Sequence, residues 1–458
     1  MLKQQKIFFD FLRLCIGSAK EIPDSLKEVD WKELYAIAKK QCLVGVLFDG
    51  IKKLPAEHVG MKKELLLQWM AESQMLEKAN VRLNDAAIQV SEWFRKKGFR
   101  TCILKGQGNA LMYPNPYSRT PGDIDIWVEG GDKRVISFVR SISPHEKACY
   151  HHIEFPSYKG VEVEVHYRPS FLLCFWHNRK LQKYYERVKE EQFSHRLMLG
   201  EQGEIAIPTV EFNLIFQLTH IYAHLMNEGI GLRQLLDYYY VLCDFYKVYQ
   251  KSSKITPSLF TLKEGSTSHH APLSMVFTPP SVPPFPGDRN LRGEGGNRPT
   301  RCSEPLRSKD GGPSKVSPNC AGWDRLSIEG DNSAGSTTAV TSSASTALDV
   351  VQKELKELGL WKFAGGIMYI MQEVFGMPAS RLIVPPNEKY GKFVLNEVLE
   401  AGNFGRHDAR NRFGRSQLGH NLQRVYRDIR LVKFFSAEAL CEPLFRTWHF
   451  FWRLKYKK

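Results

Sequence analysis

Apolar positions recur every three to four residues along the first 97 residues, which is the period of a helix. Over 26–40 they fall at Trp31, Leu34, Ile37 and Ala38, with Asp30 placed to cap a helix just ahead of Trp31. A second helical run covers 61–97, rich in Leu, Ala, Gln, Glu and Lys, and stops at Gly98. The pattern then changes. Strands are predicted over 100–105 and 123–129, a helix over 132–142, and a hairpin pairing 149–155 with 161–167 around Ser157-Tyr158-Lys159-Gly160. Helical pattern returns from Phe175 to Lys247, with strong segments at 210–227 and 232–246 on either side of Glu228-Gly229-Ile230-Gly231. Ser252 to about Leu348 is rich in Pro, Gly, Ser and Thr and has no sustained apolar period, so disorder is expected there. Helical pattern resumes at 350–358.

These shifts divide the chain into a helical N-terminal region (1–97), a strand-bearing core (98–170), a helical region (171–251), an insert (252–348) and a helical C-terminal region (349–458). The fold class is α+β. At 458 residues the chain is too long for a single compact core. Its net charge of +15 points to a polyanionic partner: nucleotide phosphates, nucleic acid or an anionic membrane surface. About half of that excess lies in Asn411–Lys458, which holds 11 Lys or Arg against 3 Asp or Glu. The nine cysteines are scattered, with no CxxC pair, which predicts reduced thiols in a cytoplasmic protein rather than a disulfide framework or a zinc site. Asp10 and Arg13 interrupt the apolar start, so no signal peptide is expected. No run reaches the roughly 18 apolar residues of a spanning helix, and a soluble protein is expected.

The chemistry concentrates in the core. Successive side chains of a strand alternate faces, so Asp123 and Asp125 project together, as do Glu162, Glu164 and His166 on a later strand. Strands laid side by side would bring these carboxylates within reach of one another, where a bound cation offsets their repulsion. The turn Leu104-Lys105-Gly106-Gln107-Gly108 sits where a strand hands over to a helix, a place where glycine lets backbone N–H groups approach a phosphate. Neither feature is specific alone. In order, glycine turn, Asp-x-Asp strand and second acidic strand can hold two Mg²⁺ ions against a triphosphate.

This ordered set resembles the polymerase-β-like nucleotidyltransferase superfamily, and more closely a bacterial branch of uncharacterised nucleotidyltransferases. The residues that carry the resemblance are Ile103-Leu104-Lys105-Gly106, Tyr113-Pro114, Arg119, Asp123-Ile124-Asp125 and Val163-Glu164-Val165-His166. It extends to Asp30-Trp31, to Gly231-Leu232-Arg233-Gln234-Leu235-Leu236-Asp237 and to 358–404, and leaves out the insert. Two departures are that Lys105-Gly106 stands where the superfamily more often has Gly-Ser, and that Glu164 stands where Asp is frequent.

The resemblance implies a small mixed β-sheet nucleotidyltransferase core flanked by helices. It implies Asp123, Asp125 and Glu164 as metal ligands, with Glu164 also a general base and Glu162 its competitor for that role. Lys105, Gly106 and Arg119 become phosphate contacts. The implied cofactors are two Mg²⁺ ions with an NTP as co-substrate, and the implied reaction is transfer of a nucleoside monophosphate to an acceptor hydroxyl. The acceptor is open among a small molecule, a protein and an RNA. A non-catalytic nucleotide-binding or scaffold protein on the same fold is the alternative, and a nucleic-acid module driven by the basic tail is a third reading.

Four further features have plainer readings. His220 and His224 stand one helical turn apart but lack the Glu of a zinc peptidase, so they read as helix histidines near a cleft. Arg233 and Asp237 read as a helix ion pair. His151-His152 reads as one exposed and one buried strand position. The aromatic, basic stretch 447–458 reads as a terminal helix packing its aromatics on the fold, with contact to an anionic surface as the sharper alternative.

Overall fold

The computed structural model describes residues 3–201, 203–252, 338–408, 410 and 417–456. Four helices come first: α1 (Lys3–Ile16), α2 (Trp31–Lys40), α3 (Val44–Ile51) and the 34-residue α4 (Lys63–Lys96). Asp30 caps α2 as its position predicts, accepting from the amides of Lys32 and Glu33 at 2.9 and 3.1 Å. The core follows as β1 (Thr101–Ile103), α5 (Gln107–Ala110), β2 (Ile124–Val128), α6 (Gly131–Ile142), β3 (His152–Tyr158) and β4 (Val161–His166). Lys159 and Gly160 link β3 to β4, both at positive φ (50° and 77°), which suits the right-handed twist of a two-residue hairpin turn.

The remaining elements are α7 (Phe175–Ser194), the short pair β5 (Arg196–Met198) and β6 (Glu204–Ala206), α8 (Val210–Asn227), α9 (Leu232–Ser252), α10 (Thr338–Glu357), α11 (Trp361–Glu373), α12 (Glu388–Ala401), α13 (Gln417–Val432) and α14 (Ser436–Lys455). Most of the expected insert, 253–337, lies outside the described residues. Its last part differs from the expectation, because 338–348 belongs to α10. The stretch Thr338–Leu348 holds three alanines and no Gly or Pro, a composition that tolerates helix where its Ser and Thr content had suggested none. No helix among the described residues is long and apolar enough to cross a membrane.

The main sheet has the order β1-β2-β4-β3, with β2 and β4 parallel and the outer pairs antiparallel. It is therefore the small mixed sheet, embedded in helices, that the sequence resemblance implies. Its two faces differ. Ile103, Ile124, Ile126, Val128, Ile153, Phe155, Val163 and Val165 form one apolar face, buried with Leu83, Val90 and Phe94 of α4 and with Val135 and Val139 of α6. The opposite face carries Cys102, Asp125, Trp127, Glu164 and His166 and turns toward the helices that follow. Trp127 ties that face down, stacked on Phe212 of α8 with centroids 5.9 Å apart and in contact with Phe193 of α7 at 4.7 Å. A one-residue slip of β2 would exchange the two faces, so burial of the isoleucines fixes the direction of the aspartates.

Ile126→Ala, at the centre of the apolar face, is expected to lower the unfolding free energy by about 2–5 kcal/mol. Urea denaturation followed by far-UV circular dichroism measures this, and a loss below about 1 kcal/mol would show that this face is no core.

Candidate active site

Pairing in register puts Asp125 of β2 directly beside Glu164 of β4, and Trp127 beside His166. Asp123 precedes β2 on the same face. Carboxylate oxygens of Asp123, Asp125 and Glu164 all lie within 4.8 Å of one another. Asp125 and Glu164 are only 2% and 4% exposed, and Asp123 is half-buried. The glycine turn closes on the same spot. Leu104 donates its amide to the Asp125 carbonyl at 3.0 Å, extending the β1–β2 ladder to the turn. Gly106 follows with φ 65° and ψ −104°, a conformation that only glycine adopts without strain. A Cβ there would stand 3.7 Å from the Asp123 carbonyl oxygen.

Burial of two neighbouring acids demands neutralisation. Lys105 Nζ lies 3.1 Å from Asp125 Oδ2, and His166 Nε2 lies 2.9 Å from Asp125 Oδ1. Burial raises the Asp125 carboxyl, but Lys105 and the His166 hydrogen bond outweigh it and hold the group well below the usual carboxylate range. The contacts continue outward on both sides. His166 Nε2 and His152 Nδ1 each lie 3.5 Å from Glu164 Oε2, and His152 Nδ1 lies 3.0 Å from His151 Nε2. Lys105 Nζ lies 3.0 Å from His220 Nε2, whose ring packs at 4.3 Å on that of His224. Burial first, then Lys105, depresses the basicity of His220; burial first, then His152, depresses that of His151.

This polar chain forms one wall of a cavity of about 320 Å³. The helices α13 and α14 form the other wall with Arg424, Glu442, Phe445, Arg446 and His449. Asp428, packed against Glu442, has its carboxyl pushed up to about 7 by burial and then by Glu442 itself, while Arg446 on this wall pairs with Glu442 at 3.5 Å. Phe445 stacks on Phe171 (5.3 Å) and Trp448 meets Tyr150 (5.4 Å), so part of the aromatic tail packs on the fold, while Phe450 and Phe451 face solvent.

The predicted residues therefore divide. Asp123, Asp125, Glu164, Lys105 and Gly106 converge. Glu162, the competitor of Glu164, is exposed and does not line the cavity. Arg119 sits elsewhere: it is buried and makes a two-pronged pair with Asp237 of α9, both N···O distances 2.8 Å. Tyr113 donates to the same carboxylate at 2.7 Å. Asn80 of α4 donates to the carbonyls of Tyr117 and Arg119 at 2.9 and 2.8 Å. The loop leading into Asp123 is thus pinned between α4 and α9. Asp237 is accordingly not the partner of Arg233, which instead donates to the Thr120 carbonyl at 3.2 Å.

His151-His152, read from the sequence as one exposed and one buried strand position, is neither: His151 precedes β3, both are half-buried, and both line the cavity. A His two residues beyond Glu164, opposite His152 across the hairpin, was the available signal. The contribution of α13 and α14 left no local signal beyond the basic, aromatic composition of the C-terminal end.

Residues 27–249 match the model of a family described as uncharacterised nucleotidyltransferase, a stretch that holds the entire main sheet, α8 and nearly all of α9. A crystal structure of an antigenic nucleotidyltransferase-like protein from Paracoccidioides brasiliensis is similar over 37% of this chain and 77% of its own, at 14% identity and a TM-score of 0.22. No curated protein matches the chain.

The Arg119–Asp237 pair yields a pH-dependent expectation. Burial pushes the Asp237 carboxyl up, but Arg119 outweighs this and holds it below its usual value. A folded-state value below the unfolded one, about 3.9, contributes stability above that pH and loses it as the pH falls through the folded value. Asp237→Ala should cost about 3–5 kcal/mol near neutrality, because it strands a buried guanidinium. The gap to the unsubstituted protein in urea melts should narrow as the pH drops below about 4; a constant gap would remove the pair from the account.

Proposed function

We propose that the chain is a Mg²⁺-dependent nucleotidyltransferase that moves a nucleoside monophosphate from an NTP to an acceptor hydroxyl. The observation that carries the reading is the meeting of Asp123, Asp125 and Glu164 oxygens beside the Gly106 turn, with Asp125 and Glu164 lining a cavity whose far side carries Arg424 and Arg446. The match of 27–249 to a nucleotidyltransferase family supports it. An all-oxygen donor set of three carboxylates is of the kind a hard divalent ion takes, and Asp123, Asp125 and Glu164 would hold it. Such ions, two in this reading, supply Lewis-acid charge to the acceptor oxygen and to the departing pyrophosphate.

The protein's own groups account for the rest. Glu164 takes the acceptor proton as the acceptor oxygen bonds to the α-phosphorus; the bond from that phosphorus to the oxygen bridging to the β-phosphate breaks, and pyrophosphate leaves. Lys105 turns from Asp125 toward the polyphosphate, and the Gly106 turn admits it without a side chain in the way. Arg424 and Arg446 face the same charge from α13 and α14. Arg119 acts at a distance, holding the loop that aims Asp123. The scattered cysteines without a CxxC pair suit the cytoplasm as the site of action in this reading, and the acceptor is a small molecule, a protein or an RNA.

One observation favours a second reading. Both oxygens of Asp125 already meet protein groups, Lys105 and His166, so the pocket is neutralised from within. A nucleotide-binding scaffold without turnover would be built this way.

Incubation with α-labelled NTP, Mg²⁺ and a cell extract separates the two. Label should pass to an acceptor, and Asp125→Asn should reduce it to background; equal labelling by the variant would refute the mechanism. Arg446→Ala should raise KM for the NTP about tenfold, the value of one charge-assisted hydrogen bond, with kcat little changed. Steady-state kinetics on the labelled acceptor measure this, and an unaltered KM would take α14 out of the nucleotide site.

A further inference from the structure

The geometry points to a second, nitrogen-rich metal site on the same sheet face, built from His152 of β3 and Glu164 and His166 of β4, which takes a divalent transition ion. It adjoins the carboxylate site through Glu164, and the two differ in chemistry. Asp123, Asp125 and Glu164 offer oxygens only. His152, Glu164 and His166 offer two imidazoles and one carboxylate, the donor set that selects zinc, iron or manganese over magnesium.

Three observations carry it. The donor atoms of His152, Glu164 and His166 lie within 4.8 Å of one another, as do those of the all-carboxylate group. Glu164 Oε2 stands 3.5 Å from both His152 Nδ1 and His166 Nε2. Bonds of about 2.0–2.2 Å from one ion to nitrogen and oxygen place neighbouring donors about 3–3.5 Å apart, so these atoms already stand near ligand spacing. His166 Nδ1 lies 3.4 Å from the Arg168 carbonyl, a hydrogen-bond acceptor of the kind that fixes a ligating imidazole with its proton on the far nitrogen. The three residues also line the cavity, so an ion can reach them.

A neighbouring group, Cys149 with His151 and His152, competes for His152. It lacks a carboxylate, whereas His152, Glu164 and His166 supply one beside two imidazoles. A third group, Cys174, His177 and Glu438, is engaged otherwise, because Glu438 accepts from the Leu173 and Cys174 amides at 2.5 and 2.9 Å. Register explains why β3 and β4 succeed. His152 and His166 are cross-strand partners, and Glu164 is two residues from His166 on the same face. The site needs no nucleotide and no transfer activity.

The test titrates the purified full chain with Co²⁺ and follows its visible ligand-field absorption, with metal content measured after gel filtration. One tightly held equivalent is expected, displaced by Zn²⁺ and retained in excess Mg²⁺. His152→Ala and His166→Asn should each weaken it at least tenfold, while Asp123→Asn and Cys149→Ser keep it. Circular dichroism and a thermal melt check that each variant is folded. His166→Asn removes the Asp125 contact too, so His152→Ala is the cleaner variant should the former unfold. Full binding by both histidine variants, ready displacement by Mg²⁺, or loss on Cys149→Ser would each overturn the site. Because Asp123→Asn should abolish nucleotide transfer yet keep Co²⁺, failure of the transferase reading and failure of this one give different results.

Discussion

Two carboxylates set side by side on adjacent parallel strands, both nearly closed off from water, govern this molecule. Asp125 and Glu164 are register partners, which fixes their backbones about 4.8 Å apart and leaves their charges no room to separate. Water would screen such a pair, but at 2% and 4% exposure it barely reaches them. Neutralising charge must come from the protein or from a ligand. In this structure Lys105 and His166 supply it. A folded chain that keeps like charges buried together retains a free-energy gain that a binding cation can collect. Lys105 is the natural group to yield, since it is partly exposed and hangs from a turn rather than a strand.

The strand that carries Asp125 is held from two sides for this purpose. On one face, isoleucines buried against α4 and α6 prevent a register slip. On the other, Trp127 stacks against α7 and α8. The loop ahead of it is clamped by Asn80, by Tyr113 and by the Arg119–Asp237 pair. A buried ion pair is costly to assemble and often contributes little net stability. Its value here is positional, because a guanidinium and a carboxylate meeting at two points admit one relative placement of loop and helix.

Much of this was legible in the sequence. Period-two alternation fixes which residues share a face, so the convergence of Asp123, Asp125 and Glu164 follows from strand geometry once the strands are placed together. The cap at Asp30 and the bounds of α8 follow from equally local rules. Arg119 was not legible in this way. A basic residue just before an acidic strand suits a phosphate contact as well as a buried pair, and the deciding partner, Asp237, lies 118 residues on. The histidines failed for a related reason. His151-His152 gains meaning only when the hairpin sets His152 opposite His166, and adjacent histidines have no periodic signature. The start of α10 was missed because Ser and Thr content outweighed its alanines.

The cavity's second wall bears on how the chain is organised. The family match ends at residue 249, within α9, whereas Arg424, Arg446 and His449 come from helices far beyond it. Packing of Phe445 on Phe171 and of Trp448 on Tyr150 brings α14 over the sheet edge. That contact encloses the carboxylates and presents cationic side chains across from them. An anion that carries its own divalent ion satisfies both walls at once, its phosphates toward the arginines and its cation toward the acids. A bare cation or a bare anion satisfies one wall and leaves the other unmatched. In the proposed function, selection for a metal-bearing polyphosphate would arise from this separation of charge across the cavity, which takes both segments to build.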